Sequence, residues 1–352
     1  MLHRLGPALL REGPLIEHIT ALRVVVGNGD VIDCNAHEHS EVFHAALGGL
    51  GQCGVIVRVT VAAVPRPSRA RVYRVVTSFE EMKRVYALLQ QPQFAKIRNF
   101  QTFAKLNEKG TLKNFDPQLA EYEAPPEAGD WIFLHEFVCF YDNDEDMPKD
   151  EAILHLFNAL SASGQTTTDM KYEDWIFRLD KVFGCRASAH KSPDVLPPVP
   201  RPWFEAFFTG SHVQQALDCA HAELLKLDHT NGDVAMGTVI IFYPLSSVEV
   251  RNSKCMKLRV HENHGAGVYF GTLRLAADAE QARDFDLHDR ELHRELLRRG
   301  LGCGYFSSTA PRDSAEWRMY YGNHHPDIIE SLQTIWKKHD PQCVFSWRCS
   351  QE

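Results

Sequence analysis

The most restrictive feature of the sequence is an ordered unit close to its start. Residues 21–34, ALRVVVGNGDVIDC, place two β-branched runs on either side of Gly27-Asn28-Gly29-Asp30. Because glycine and asparagine tolerate the positive φ of a tight turn, this pattern predicts a β-hairpin. A short helix over 40–47 and a strand over 55–61 are predicted next, and Pro65 and Pro67 then indicate a domain boundary.

A glycine-rich segment, ALGGLGQCG over 46–54, joins the predicted helix to the predicted strand. In a dinucleotide-binding loop the glycines follow a strand and open a helix, which is the reverse of the order found here. A phosphate-binding P-loop is also excluded, since no Lys-Ser or Lys-Thr pair follows the glycines. From the glycines alone, the favoured interpretation is a helix C-cap that leads into a buried strand.

After Pro67 the sequence mixes strand patterns with helix patterns. Strands are predicted over 131–141, 234–243 and 266–275, and helices over 78–89, 150–160, 211–226, 277–299 and 327–338. The five prolines within 190–202 require an extended loop there. The strands are long and rich in aromatic residues, so we expect an α+β fold with an antiparallel sheet and helices on one face.

Composition excludes several classes of protein. A length of 352 residues is enough for two domains, and a formal charge of −8 is unlike the basic face of a nucleic-acid-binding protein. No apolar run is long enough for a membrane helix, and no signal peptide is evident. The nine cysteines lack a Cys-x-x-Cys pair, which disfavours a disulfide scaffold and favours a reducing compartment.

The unit over 21–67 carries a family resemblance. Hairpin, helix, Ala-Leu-Gly-Gly-Leu-Gly-Gln-x-Gly-Val-Ile, strand and Pro-x-Pro together resemble the back half of the flavin domain of the vanillyl-alcohol oxidase/p-cresol methylhydroxylase (PCMH) superfamily. Within that superfamily the similarity is to cytokinin dehydrogenase-like FAD-linked oxidases. The resemblance implies that Gly51, Gln52 and Gly54 let the backbone pass close to FAD, and that Ile56 contacts the flavin through its backbone.

Further segments extend the resemblance along the chain in the same order. These are Tyr172–Val182, Arg201-Pro-Trp-Phe-Glu-Ala-Phe207, Gly237–Leu245, Val268–Arg274 and Asp340-Pro341 followed by Ser346. The second of these is similar to a family motif, His-Pro-Trp-Leu-Asn-Leu-Phe. The implied domains are the back half of a PCMH-type FAD-binding domain over 1–67, a substrate domain over 68–300 and a C-terminal return to the FAD domain over 301–352. The N-terminal half of the FAD domain is expected to be missing.

The resemblance also implies functional residues. Glu136, on the predicted strand 131–141, corresponds to an acid that orients and deprotonates the substrate amine. Burial is expected to raise its pKa; the alternative is that it faces solvent. Tyr305 and Ser346 match residues that contact the flavin. Trp203 and Phe204 are candidate walls of a substrate pocket, with packing in the hydrophobic core as the alternative.

Two histidine-containing segments, over 261–264 and 324–327, lack the spacing of a metal site, so no metal is expected. The resemblance implies an FAD-dependent oxidoreductase that oxidises a CH–NH or CH–OH group of a small molecule, such as an adenine-type cytokinin or another amine or alcohol. The alternative is a non-catalytic truncated homologue that acts as a small-molecule-binding or interaction protein. No nucleic-acid or membrane partner is expected, and without a signal peptide the default location is the cytoplasm.

Overall fold

The structure is a computed structural model of the chain. It describes residues 15–63, 65–88, 97, 99–107, 111–112, 118, 122, 131–147, 151, 153, 164–178, 202–208, 213–225, 239–245, 267–274, 276, 278–299, 301, 303–306, 313, 315–318 and 326–346. The helix predicted over 150–160 and the extended loop predicted over 190–202 lie largely outside these residues.

The described residues form eleven strands and six α-helices, after a short 3-10 helix over Leu15–His18. The strands are β1 Ile19–Val25, β2 Val31–Asn35, β3 Val55–Val61, β4 Arg69–Thr77, β5 Asn99–Leu106, β6 Trp131–Tyr141, β7 Gly164–Lys171, β8 Trp203–Phe208, β9 Val239–Leu245, β10 Gly267–Leu273 and β11 Cys303–Phe306. The helices are α1 Ser40–Ala46, α2 Phe79–Leu88, α3 Tyr172–Ile176, α4 Val213–Leu225, α5 Ala279–Arg298 and α6 Pro326–His339.

A small antiparallel sheet with the strand order β2-β1-β3 contains the predicted hairpin. Its turn places Gly29 at a positive φ of 89°, as the Asn-Gly pattern requires. The inner faces of β1 and α1 bury Leu22, Val24 and Phe43 in one apolar cluster. The hairpin, the helix and the third strand predicted from the sequence are therefore confirmed.

A second sheet of eight antiparallel strands has the order β11-β8-β10-β9-β5-β6-β4-β7. One of its faces is covered by helices, and the main core lies there, with Phe133, Phe137 and Phe204 fully buried. Side chains alternate along a strand, so Glu136 and Gln101 lie on the opposite face. An antiparallel sheet with helices on one face confirms the α+β prediction.

The C-terminal helix α6 packs against the small sheet and α1. Trp336, Leu332 and Ile335 share an apolar cluster with Ala45 and Cys53, and the Trp336 indole donates a hydrogen bond of 2.8 Å to the carbonyl of Gln52. At the hairpin turn, a Cβ on Gly27 would lie 1.9 Å from the Asp340 carboxylate. The hairpin and the C-terminal segment can therefore approach this closely only because residue 27 is glycine.

Most of the cysteines whose side chains the structure describes form no disulfide. Cys34, Cys53, Cys139 and Cys219 are buried thiols outside any disulfide, whereas Cys343 is disulfide-bonded. Among the described helices, none is both long and apolar enough to cross a membrane.

Candidate functional site

Polar side chains lie in a row on the face of the large sheet that turns away from the main core. Arg74 on β4 and Gln101 on β5 are the direct cross-strand neighbours of Glu136 on β6. Cross-strand neighbours on one face lie about 5 Å apart, so the three side chains meet. The Glu136 side chain is buried, with 2% of the residue exposed.

Glu136 receives five N–H donors from described residues. Its Oε1 accepts hydrogen bonds from Gln101 Nε2 at 2.7 Å and from Arg178 Nε and Nη2 at 2.8 and 2.5 Å. Its Oε2 accepts two more from Arg74, at 3.2 and 3.0 Å. A carboxylate offers about four lone-pair positions, so these donors saturate it.

The ionisation of Glu136 differs from the sequence prediction. Burial acts to raise the pKa of this carboxyl, but the charges and hydrogen bonds of Arg178 and Arg74 outweigh burial and hold the pKa below its ordinary value. The expected upward shift is therefore wrong. Because neither arginine is adjacent to Glu136 in sequence, the strand pattern gave no sign of the pairing.

Two polar atoms next to this cluster have no hydrogen-bond partner within the described residues. They are Asn99 Oδ1, opposite Val138 in the strand register, and Trp175 Nε1, which packs in a small cluster with Val138. Arg178 lies over the Trp175 ring, 4.5 Å from its centroid. Buried polar atoms of this kind are usually satisfied by water or a ligand.

The two candidate pocket residues on β8 point in opposite directions. Phe204 is fully buried in the core beneath the helices, beside Phe270 and His293. It therefore lies on the face opposite Glu136 and packs in the hydrophobic core, which is the alternative given for it in the sequence analysis. Trp203, its neighbour in sequence, lies on the polar face.

The polar face holds a second buried carboxylate, which the sequence analysis did not single out. Glu205 on β8 is 6% exposed and accepts a hydrogen bond from the Tyr269 hydroxyl on β10. Gly271 lies opposite Glu205 in the register, and a Cβ there would come within 2.6 Å of that hydroxyl. The sequence signal that could have indicated this buried carboxylate is an acidic residue within an otherwise apolar strand, WFEAFF.

A third buried carboxylate, Asp289 on α5, lies on the helix side of the large sheet. Its Oδ1 is 3.0 Å from Arg274 Nη2. Burial raises the pKa of Asp289 to about 7, and the charge of Arg274 offsets only part of that rise. The opposite shifts of Asp289 and Glu136 show that burial alone does not set the ionisation of these groups.

The glycine-rich segment is a tight turn in which Gly48, Gly51 and Gly54 have positive φ. A Cβ on Gly54 would lie 2.5 Å from the carbonyl oxygen of Val25, so this glycine is required by contact with β1. At Gly51 no atom lies within 4 Å of the Cβ position, so its backbone borders open space. Ile56 is partly buried against the cluster of the small sheet.

The C-terminal candidates are separated in the structure. Tyr305 on β11 lies opposite Glu205 in the strand register. Ser346 is buried in the loop after α6, where its backbone N–H donates to the Asp340 carboxylate at 2.8 Å. Its Oγ is buried and has no hydrogen-bond partner within the described residues. In those residues no group of three or more metal-ligating side chains occurs.

No protein-family model matches the chain, but individual proteins do. It is 30% identical over 247 residues to cytokinin dehydrogenase 9 of Oryza sativa subsp. japonica, an alignment that covers 67% of this chain and 44% of that protein. Cytokinin dehydrogenase 1 of the same species aligns over 359 residues at 26% identity, covering 96% of this chain and 63% of the relative. The chain is therefore a homologue of the cytokinin dehydrogenases, which are FAD-linked oxidases. The family resemblance predicted from its motifs is thus confirmed.

Solved structures of FAD-linked oxidases share the fold of this cytokinin dehydrogenase-like chain. A chitooligosaccharide oxidase superposes with a TM-score of 0.62 at 14% identity, over 97% of this chain and 69% of the other. Xylooligosaccharide oxidase from Myceliophthora thermophila C1, in complex with xylobiose, gives the same TM-score and identity. The chain spans less than half the length of the first three curated relatives, namely 44%, 45% and 38%.

Proposed function

We propose that the protein is an FAD-dependent oxidoreductase that oxidises a CH–NH or CH–OH group of a small molecule. Its homology to the cytokinin dehydrogenases supports the reaction class. The observation that carries the proposal is the polar face of the large sheet, which holds two buried carboxylates, Glu136 and Glu205. Tyr269 on the same face packs in the apolar cluster of the small sheet. An adenine-type cytokinin or another amine or alcohol is the proposed substrate class.

The residues present fit FAD in two respects. Ser346 offers a buried hydroxyl without a partner in the described residues, and Gly51 offers a backbone that borders open space. We propose that Gly51, Gln52 and Ile56 pass beside the cofactor, with Ser346 and Tyr305 completing its contacts. The chemistry that bound FAD would supply is that of an acceptor for a hydride from the substrate carbon.

In this proposal Glu136 is an anchor that is ionised at neutral pH, because its pKa is lowered. Its five hydrogen bonds hold Arg74, Arg178 and Gln101 in fixed positions at one end of the polar face. Glu136 can receive a substrate N–H only if one of those donors moves away. We therefore assign it an organising role in binding, with direct proton transfer requiring displacement of an arginine.

FAD binding is tested with the purified full chain, by its visible spectrum and by titration with FAD. We expect a flavin band near roughly 450 nm. Replacing Ser346 with alanine is expected to weaken FAD binding roughly fivefold, the effect of about 1 kcal/mol for one hydrogen bond. Thr334→Ala, on the exposed side of α6, is the control. A colourless protein whose spectrum does not change with added FAD would exclude the oxidoreductase proposal.

The second candidate function is a non-catalytic binding or interaction protein. It is favoured by a row of valines across the outer face of the small sheet, where Val31, Val25 and Val55 are paired in the register. Val31 is 60% exposed and Val55 is 50% exposed. Exposed apolar patches of this kind often mark contact surfaces. Absence of FAD binding together with self-association at micromolar concentration, measured by sedimentation, would favour this candidate.

A further inference from the structure

The outer face of the small sheet carries a pattern of side chains that is complementary to itself. We propose that this face is a contact surface between two copies of the chain, packed face to face about a two-fold axis that runs along β1. The inference goes beyond the proposed function, because it depends neither on the flavin nor on a substrate. It gives the exposed valines of this face a defined partner.

Three register rows across β2, β1 and β3 make up the face. The first row is Val31, Val25 and Val55, the second is Asp33, Arg23 and Arg58, and the third is Asn35, Ala21 and Thr60. Side chains alternate along a strand, so these rows lie on the side of the sheet opposite the buried Leu22 and Val24. At the two edge strands of the face, Val31, Asp33, Val55 and Arg58 are exposed.

The charged row restricts which partner fits the face. Arg23 donates hydrogen bonds of 2.7 and 2.6 Å to the two carboxylate oxygens of Asp33. Arg58 lies opposite Arg23 on the other side and adds a second guanidinium group. The row therefore has a negative charge at one edge of the sheet and an excess of positive charge at the other. A complementary surface presents the same charges in the reverse order.

A second copy of the chain presents that reverse order in one orientation. Rotation about an axis along β1 places β2 of one copy over β3 of the other and keeps each row at its own level. Asp33 then faces Arg58 of the other copy, and the symmetry repeats this contact at the opposite edge. Val31 faces Val55 of the other copy in the same way. A two-fold axis across the strands would instead place Asp33 over Asp33 and Arg58 over Arg58, and these like charges repel each other.

The size of the face indicates how stable such a dimer is. Three strands at a spacing of about 4.8 Å, each contributing about six residues at a rise of about 3.3 Å, give a face of roughly 300 Å². This area is below the roughly 800 Å² that each partner buries in a stable complex, so we expect a weak, reversible dimer. Two sheets that pack face to face with aligned strands are rotated by about 30° relative to each other, and over only three strands the rows stay in contact.

Analytical ultracentrifugation of the full chain over a series of concentrations tests the inference. The wild type is expected to show a reversible equilibrium between monomer and dimer. Arg58→Asp brings two carboxylates together at both ends of the charged row, and Asp33→Arg brings two guanidinium groups together there. Each variant alone is expected to dissociate about tenfold more readily, because the attraction of two exposed ion pairs is replaced by repulsion.

A mixture of the two variants tests the orientation of the copies. One Arg58→Asp chain and one Asp33→Arg chain have opposite charges at both contacts, so they are expected to pair with each other although neither pairs with itself. Val55→Lys is a further variant that alters no ion pair, and it is expected to weaken the dimer by placing an ammonium group over Val31. Asp144→Arg and Arg283→Asp make the same charge changes at exposed residues of other segments and are the matched controls. Melting temperatures check that each variant is folded.

A wild type that stays monomeric at every concentration would assign the face to a different protein and overturn the inference. Self-association that is equal in the wild type and the charge variants would overturn it too, as would two monomeric variants that do not pair when mixed. The flavin spectrum of the same samples tests the proposed function separately. A dimer without flavin supports the inference and excludes oxidation, whereas a flavin-containing monomer supports the proposed function and overturns the inference.

Discussion

Glu136 and Glu205 lie on the same face of the same sheet and are almost equally buried, yet their surroundings differ. Glu136 is enclosed by two guanidinium groups and an amide, whereas Glu205 is met by a phenol above a glycine. Burial by itself would raise the pKa of Glu136, but its arginine partners lower it. The comparison shows that two carboxylates on one face of a sheet can be almost equally buried and still contact side chains of different charge.

The largest effect is expected from Glu136→Ala. It would leave Arg74 and Arg178 facing each other without their shared anion, and loss of one partner from a buried ion pair costs about 3–5 kcal/mol. Glu205→Gln keeps the volume and a hydrogen-bond acceptor for Tyr269, so it is expected to cost less than Glu136→Ala. Urea unfolding of both variants gives the two free energies. Equal destabilisation would remove the contrast between the two carboxylates.

An intermediate effect is expected from Gly271→Ala, which places a methyl group against the Tyr269 phenol. Overpacking of this kind costs about 1–3 kcal/mol. The double variant Gly271→Ala with Tyr269→Phe is expected to recover part of that loss, because the closest atom of the clash is removed. Thermal unfolding of the single and double variants measures the coupling. Additive effects would show that residue 271 does not make room for the phenol.

The smallest of the expected effects is a change in the stability of the protein at acid pH. Since the pKa of Glu136 is lowered on folding, its ion pairs stabilise the protein above the ordinary value of 4.5, and this stabilisation is lost as pH falls through the folded pKa. Arg178→Gln removes the partner with the largest effect on that pKa. The acid-unfolding midpoint of this variant is therefore expected to rise by a fraction of a pH unit. Circular dichroism from pH 2 to 7 follows this transition, and an unchanged midpoint would contradict the role of Arg178.

Local patterns predicted the elements with clear periodicity or turn chemistry. The Asn-Gly turn, the strand VIVRVTV and the amphipathic helix α5 all lie where the sequence placed them, within a few residues. The strands β4, β5, β7, β8 and β11 were not predicted. GQTTTDMK in β7 has no apolar face of its own, and it is ordered by pairing with β4, which is a non-local contact.

The candidate site was predictable only in part for the same reason. The aromatic strand around Glu136 indicated a buried carboxylate, and the residue is buried. The sign of its pKa shift depends on Arg74, 62 residues away in sequence, and on Arg178, 42 residues away. Likewise, the pairing of Glu205 with Tyr269 and Gly271 joins strands that are separated by a long segment of chain. No local pattern specifies such partners.

The close fit of Gly27 against Asp340 has a consequence for the order of folding. The Asp340 carboxylate also accepts hydrogen bonds from the backbone N–H groups of Val344, Phe345 and Ser346. The same side chain therefore contacts the hairpin turn at Gly27 and fixes the loop after α6. Contacts across more than 300 residues form late, because closing so long a loop is entropically costly. During synthesis, the hairpin strands therefore emerge well before α6, and the apolar surface that α6 covers stays open until that helix has been made.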